Sequence, residues 1–166
     1  QDEVVVKTWI KSLENSRSLR CLEVFLNDEK IVGCETYWVV FNTQTRRPES
    51  LMLPHNHFEK NNINAIKKPL EKINLSDIEL KKIKDYAVQL SDLDIVNHTN
   101  NVKYLEWCLN LVETQLIFKQ KITALEMNFI RELSLHDKVS IFGNNTHFAI
   151  SNFDQNCFVL QIEQKP

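Results

Sequence analysis

The sequence predicts an α+β fold built on antiparallel sheet, and three observations carry that prediction. Short runs rich in Val, Ile, Thr and aromatic residues recur along the chain, separated by polar turns. A stretch from about residue 100 to 113 is apolar almost all round a helical circumference. A single strand-like run precedes that stretch and several short ones follow it, which supports antiparallel pairing beside one helix.

The elements follow in order. From Glu3 to Ile10, the residues Val4, Val5, Val6, Thr8, Trp9 and Ile10 are good strand formers. A polar stretch over 11–17 separates them from a second run, Leu19 to Leu26. Asn27-Asp28-Glu29-Lys30 reads as a turn, and Ile31 to Phe41 completes a three-stranded antiparallel meander that Arg46-Arg47-Pro48 ends. Residues 48–80 hold Pro48, Pro54 and Pro69 among many Lys and Asn; they read as a linker, with a short helix near 64–73.

The second half, 81–166, has a clearer plan. Asp85 to Leu90 reads as a strand, and Ser91 to Thr99 is polar and turn-prone. Thr99 or Asn100 can cap a helix running to about Glu113, because either side chain accepts from the free N–H groups of a first turn. Val102, Tyr104, Leu105, Trp107, Cys108, Leu109, Leu111 and Val112 surround that helix, which predicts burial rather than one face laid on a surface. Strands follow at about 123–133, 138–144, 146–153 and 157–163. Only two glycines are present, so Asn and Asp must supply the turn chemistry.

Composition narrows the function classes. A net charge of −2 argues against a general nucleic-acid binder, whose footprint is a strong basic excess. No apolar run approaches the roughly 20 residues of a membrane span. The opening Gln1-Asp2-Glu3-Val4-Val5 has the pattern of neither a signal nor a transit peptide; with no initiating Met, it points to processing or truncation. Cys21, Cys34, Cys108 and Cys157 form no C-x-x-C pair and read as reduced, mostly buried thiols of an intracellular protein, with no zinc site. His55 and His57 make an H-x-H pair, but two ligands in a linker favour a solvated loop over a metal site.

The loop before the helix is where chemistry is expected. A helix N-terminus presents unpaired N–H groups and partial positive charge, which can polarise a carbonyl and stabilise an oxyanion. Asp94 and His98 lie in that loop, and Glu132 lies later, before the turn at 134–137. Imidazole and carboxylates at one locus suit proton transfer to and from water. On the residues alone, Asp94 and His98 equally fit the shaping and capping of a turn.

Ser91-Asp92-Leu93-Asp94-Ile95-Val96-Asn97-His98-Thr99-Asn100-Asn101-Val102-Lys103-Tyr104-Leu105-Glu106-Trp107 resembles a segment of the acyl–acyl-carrier-protein thioesterases of plants and bacteria, S-D-L-D-V-N-x-H-V-N-N-V-K-Y-x-x-W. Residues 2–9 and 38–48 are similar to the family's G-D-x-V-x-x-x-T-W and W-V-x-x-N-x-x-T-R-R segments, with Gln1 where the family has Gly. Asn128-Phe129-Ile130-Arg131-Glu132-Leu133 is similar to its E-Y-R-R-E-C.

The resemblance implies a hotdog fold, an antiparallel sheet wrapped around a central buried helix. Residues 1–47 would be three strands of a partial first hotdog, 48–80 a linker and 81–166 a second hotdog. It implies hydrolysis of the thioester of fatty acyl groups on acyl carrier protein, with Asp94, His98 and Glu132 catalytic and no metal or organic cofactor. Asn97, Asn100 and Asn101 would meet the substrate, with the backbone at 100–101 polarising its carbonyl. The partner would be acyl carrier protein bearing its acyl chain, met by Arg46, Arg47, Lys60, Lys67 and Lys68 unless these are simply solvated. The compartment would be bacterial cytoplasm, or plastid stroma in a plant or alga.

Two positions depart from the family pattern. Its Asn two places after the Asp is Val96 here, with Asn97 one place later, and its Cys after the Glu is Leu133. Leu133 excludes a Cys nucleophile there and leaves water attack assisted by carboxylate and imidazole. Val96 motivates the alternative, a hotdog that binds acyl chains or acyl carrier protein without turnover. Cys108 reads as inert core, and Trp9, Tyr37 and Trp38 as core or acyl-tunnel lining. A three-stranded sheet needs a cover, so the first hotdog's remainder is expected to lie outside the chain or to come from another chain, a homodimer included.

Overall fold

A computed structural model describes residues 2–45, 47–52 and 54–165. The chain divides into two compact units, Gln1–Glu71 and Lys72–Pro166.

In the first unit, β1 (Val4–Glu14), β2 (Arg17–Leu26) and β3 (Glu29–Val39) form an antiparallel meander in the order β1-β2-β3. Asn and Asp make its turns: Asn15 has φ 48°, and Asn27 and Asp28 have φ 48° and 66°, the paired left-handed residues of a tight hairpin. Strand alternation gives the sheet two faces. One face, bearing Trp9, Cys21, Gly33 and Glu35, is covered by residues 60–66 of the predicted linker. There the Trp9 indole donates to the Ile63 carbonyl at 3.0 Å. The Glu35 carboxylate accepts the Ala65 N–H at 2.9 Å, and the Lys30 ammonium donates to the Ala65 carbonyl at 2.6 Å. These bonds claim the peptide groups that a helix near 64–73 would need, and no helix forms there. Gly33 permits the close approach, since a Cβ at that position would stand 2.3 Å from the Ala65 oxygen.

The opposite face is apolar and open. Val4, Val6, Val32 and Trp38 on it are 46% to 61% exposed. Trp38 and Tyr37, expected in the core, are therefore surface residues in this chain, whereas Trp9 is half-buried. Trp38 stands on the uncovered face with its indole turned to Thr36 Oγ1 at 2.9 Å, and Tyr37 lies on the edge strand. Gln1, Arg46, Leu53 and Pro166 lie outside the described residues.

The second unit is a hotdog. Its strands are β4 (Lys81–Ala87), β5 (Ile122–Phe129), β6 (Lys138–Gly143), β7 (His147–Asn152) and β8 (Gln155–Gln164), in one antiparallel sheet ordered β4-β6-β7-β8-β5. Helix α1 (Asn101–Leu109) and the short α2 (Thr114–Phe118) come between β4 and β5 in the chain. The central strands β7 and β8 are buried on both faces, so Phe148-Ala149-Ile150 and Phe158-Val159-Leu160 read as continuous apolar runs. The outer strand β4 tolerates Lys81, Lys82 and Lys84 because a sheet edge faces water, and that charge discourages pairing with other strands.

Helix α1 packs on this sheet through Tyr104, Trp107 and Cys108, which are 2%, 7% and 0% exposed and share one face by their spacing. Tyr104 lies 5.5 Å from Phe158 between ring centres, and Trp107 lies 4.8 Å from Tyr86 of β4. Burial is one-sided rather than all round: Val102 is 66% exposed. The helix also stops at Leu109. The N–H groups of Leu111 and Val112 turn back to carbonyls three residues earlier, Cys108 and Leu109, at 2.9 and 3.3 Å. Such bonds tighten a last turn and end a helix.

Candidate active site

The loop between β4 and α1 is a miniature hairpin. Leu93 and Thr99 bridge in antiparallel sense, and the Asp94 N–H donates to the His98 carbonyl at 2.8 Å. Asn97 closes the turn with φ 63°, a conformation Asn adopts more readily than most residues. Asp94 Oδ1 accepts the N–H groups of Val96 and His98, at 2.9 and 3.2 Å. A short carboxylate folding the chain over itself is a common turn device. Asp94 thus orients His98 through the backbone.

Asp92 anchors the base of this hairpin and is only 3% exposed. Its Oδ2 accepts the Tyr86 hydroxyl at 2.7 Å and the Gln89 N–H at 2.8 Å, while its carbonyl accepts the Asn100 N–H at 2.8 Å. The Tyr86 phenol is pushed up to about 12, by burial first and then by its bond to the Asp92 carboxylate. Sequence reading missed Asp92 as a site-building residue. The available signal was a capping box, Gln89 with an acid three places on.

His98 and Glu132 come together. Nδ1 of His98 lies 3.6 Å from Glu132 Oε2, with both side chains half open to solvent. The backbones beside them are tied as well, because the Thr99 N–H donates to the Leu133 carbonyl at 2.9 Å. At the N-terminus of α1, Asn100 is the cap: its side chain accepts the Val102 N–H at 3.0 Å and its carbonyl the Lys103 N–H at 2.8 Å. The Asn100 N–H itself goes to Asp92. The Asn101 N–H belongs to the first turn of α1, where helix geometry supplies no intrahelical acceptor. Asn97 and Val96 are exposed on the turn, Val96 at 61%.

Imidazole and carboxylate beside a helix N-terminus can move protons at a water molecule and polarise a carbonyl. Leu133 is 1% exposed, so the side chain after Glu132 belongs to the core rather than to the site. Cys108 is fully buried and its thiol is pushed up to about 12 by burial, which leaves no thiolate to attack. Among the described residues, no group of three or more His, Cys, Asp or Glu side chains is arranged to hold a metal ion. Two surface clefts, of 440 and 370 Å³, are lined by Glu79, Lys81 and residues 143–146, and by Leu75, Ile78, Phe142, Phe153 and their neighbours. Neither includes His98 or Glu132.

Comparison with known proteins bears on this arrangement. Residues 75–163, more than half of the chain, match the family described as the acyl-ACP thioesterase C-terminal domain. The chain belongs to the acyl-ACP thioesterase family. A palmitoyl-acyl carrier protein thioesterase, chloroplastic, of Gossypium hirsutum is 27% identical, over 94% of this chain and 41% of its own length. An oleoyl-acyl carrier protein thioesterase, chloroplastic, of Coriandrum sativum is 26% identical, over 83% of this chain and 40% of its own. The chain therefore spans about two fifths of the length of these curated relatives. An acyl-ACP thioesterase structure from Bacteroides thetaiotaomicron superposes with a TM-score of 0.82 at 22% identity, covering 99% of this chain and 69% of that one. The 12:0-ACP thioesterase of Umbellularia californica gives 0.78 at 22% identity, covering 99% and 68%. Such likeness supports the fold of this thioesterase-family chain.

Proposed function

We propose that the protein hydrolyses the thioester joining a fatty acyl group to acyl carrier protein. The observation that carries the reading is the His98–Glu132 pair at 3.6 Å, beside the N-terminus of α1, in a domain of this family. With Nδ1 of His98 turned to Glu132, Nε2 is left to take a proton from water as it attacks the thioester carbon. The N-terminus of α1 at Asn100–Asn101 faces the developing oxyanion, and the protonated imidazole then gives its proton to the departing carrier thiolate. Asp94 keeps His98 in place through its backbone. The 3.6 Å separation exceeds a hydrogen bond, and catalytic contacts of this kind tighten when substrate excludes water.

The acidic partner would meet Arg47, Lys60, Lys67 and Lys68; Arg46, of the same set, lies outside the described residues. Among the described residues, no helix is long and apolar enough to cross a membrane. The relatives named chloroplastic favour a plastid setting if the source is a plant or alga; in a bacterium the setting would be the cytoplasm.

A second reading, binding without turnover, draws on one observation. Val96 presents a side chain without a donor, 61% exposed, on the turn between Asp94 and His98. Hydrolysis of acyl–acyl carrier protein by the full-length protein separates the two, with Val96→Asn and His98→Ala alongside. Turnover in wild type that His98→Ala abolishes supports the enzyme. Turnover gained only in Val96→Asn would favour the binder, and turnover indifferent to His98→Ala would remove His98 from the site.

A further inference from the structure

Glu132 lies in an irregular segment: β5 ends at Phe129, and residues 130–137 form neither helix nor strand. Its carboxylate must still meet His98 at a defined place. The peptide groups of Leu133, the next residue, are held on both sides. The Leu133 carbonyl accepts from Thr99, the residue after His98, at 2.9 Å. The Leu133 N–H donates to the hydroxyl of Tyr104 at 3.0 Å, in a buried bond from β-side loop to helix. His98 and Glu132 therefore each stand one residue before a shared clamp whose third member is a side chain of α1.

The Tyr104 ring would fill the core equally well as Phe. It packs against Trp107, Phe129 and Phe158, with ring centres 5.5 to 5.8 Å away. The hydroxyl adds an acceptor for a buried N–H that would otherwise be orphaned. Burial pushes this phenol up to about 12, so it stays neutral throughout the range in which a hydrolase works.

We propose that Tyr104 is a positioning residue for thioester hydrolysis: its hydroxyl fixes the Leu133 peptide and thereby sets Glu132 against His98. The proposal rests on the hydrolase reading above. Tyr104 touches no substrate and acts through Glu132, which sets its test apart from that of a residue needed only for folding.

The experiment is a double-mutant cycle in the full-length protein. Tyr104→Phe should lower kcat about tenfold or more while KM stays within about twofold, since the interaction lost is made through the proton-transfer pair. In a Glu132→Gln background the same change should cost less than about twofold, because coupled residues are not additive. Equal losses in both backgrounds, or a loss confined to KM, would overturn it. The ring nitrogens of His98, followed by NMR, repeat the test without turnover. Tyr104→Phe and Glu132→Gln should move those signals in the same sense, and unmoved signals in Tyr104→Phe would sink the proposal even if no acyl substrate is hydrolysed. Should Tyr104→Phe not fold, wild-type hydrogen exchange still decides: the Leu133 amide must be protected like those of the sheet, and exchange at loop rates contradicts the clamp.

Discussion

Removing the Asp92 side chain should destabilise the second unit more than any surface change near the candidate site. Asp92→Ala strips the acceptor from two donors, the Tyr86 hydroxyl at 2.7 Å and the Gln89 N–H at 2.8 Å, around a residue 3% exposed. A hydrogen bond to a charged group contributes about 1.5–3 kcal/mol, and an orphaned buried donor costs about 1–3 kcal/mol. Tyr86 is only half-buried and can partly turn to water, so its bond counts at the low end. The sum is about 3–4 kcal/mol for Asp92→Ala, against about 1 kcal/mol each for Tyr86→Phe and Asp92→Asn, which keep one bond or weaken both. Trp107 reports on the site, lying 4.8 Å from Tyr86 between ring centres, once Trp9 and Trp38 are replaced by Phe. With a urea slope of about 2 kcal/mol per molar, Asp92→Ala should lower the unfolding midpoint by roughly 1.5–2 M. A shift below about 0.5 M, or equal shifts for Ala and Asn, would refute the claim that a buried carboxylate anchors the loop.

Three further predictions follow from the same packing. Leu133→Cys should leave its thiol unreactive toward an aromatic disulfide reagent in the native state, because position 133 is 1% exposed; native-state labelling would show that the side chain reaches the site after all. Cys108, raised to about 12, should resist iodoacetamide at pH 8 until the protein is unfolded in denaturant, which mass spectrometry of the labelled peptide would check. Tyr86 and Tyr104, both raised to about 12, bind their protons more tightly folded than unfolded. Their stabilising contribution is therefore complete below pH ~10 and lost as pH rises through about 12. Tyrosinate absorbance and loss of near-ultraviolet circular dichroism should then rise together in that window, and tyrosinate from these residues in a still-folded protein would contradict it.

Most of the architecture was legible because local chemistry and packing agree. Asn27-Asp28 could be read as a turn since Asn and Asp tolerate the left-handed backbone, and both residues adopt it. The capped helix at Asn100 and the later strands followed from similar local rules. What escaped the sequence was set by neighbours distant in the chain. Lys81, Lys82 and Lys84 lie ahead of the strand expected at 85–90, yet β4 starts at Lys81 as an edge strand, where one side of each residue meets water. The open apolar face of the first sheet was foreseeable, but not that Trp38 would stand on it while residues 60–66 cover the other side. Val102 looks like core on a helical wheel, yet the sheet reaches only one face of α1.

The candidate site divides in the same way. His98 and Glu132 were named from the chain and lie together, 3.6 Å apart, although 34 positions separate them in sequence. The turn-shaping role of the Asp94 carboxylate was one of two readings left open, because one acid can face a ring, a water molecule or its own turn with the same letters. Asp92 and Tyr104 were missed for a related reason: their partners, Tyr86 and the Leu133 N–H, are brought to them by folding.

The account stands or falls on one comparison: the kcat for acyl–acyl carrier protein hydrolysis by the full-length protein, with His98→Ala and Glu132→Gln measured beside wild type. It predicts turnover in wild type that falls about 10²–10⁴-fold in each variant, the range general acid–base catalysis supplies. Wild-type turnover that neither variant changes would contradict it.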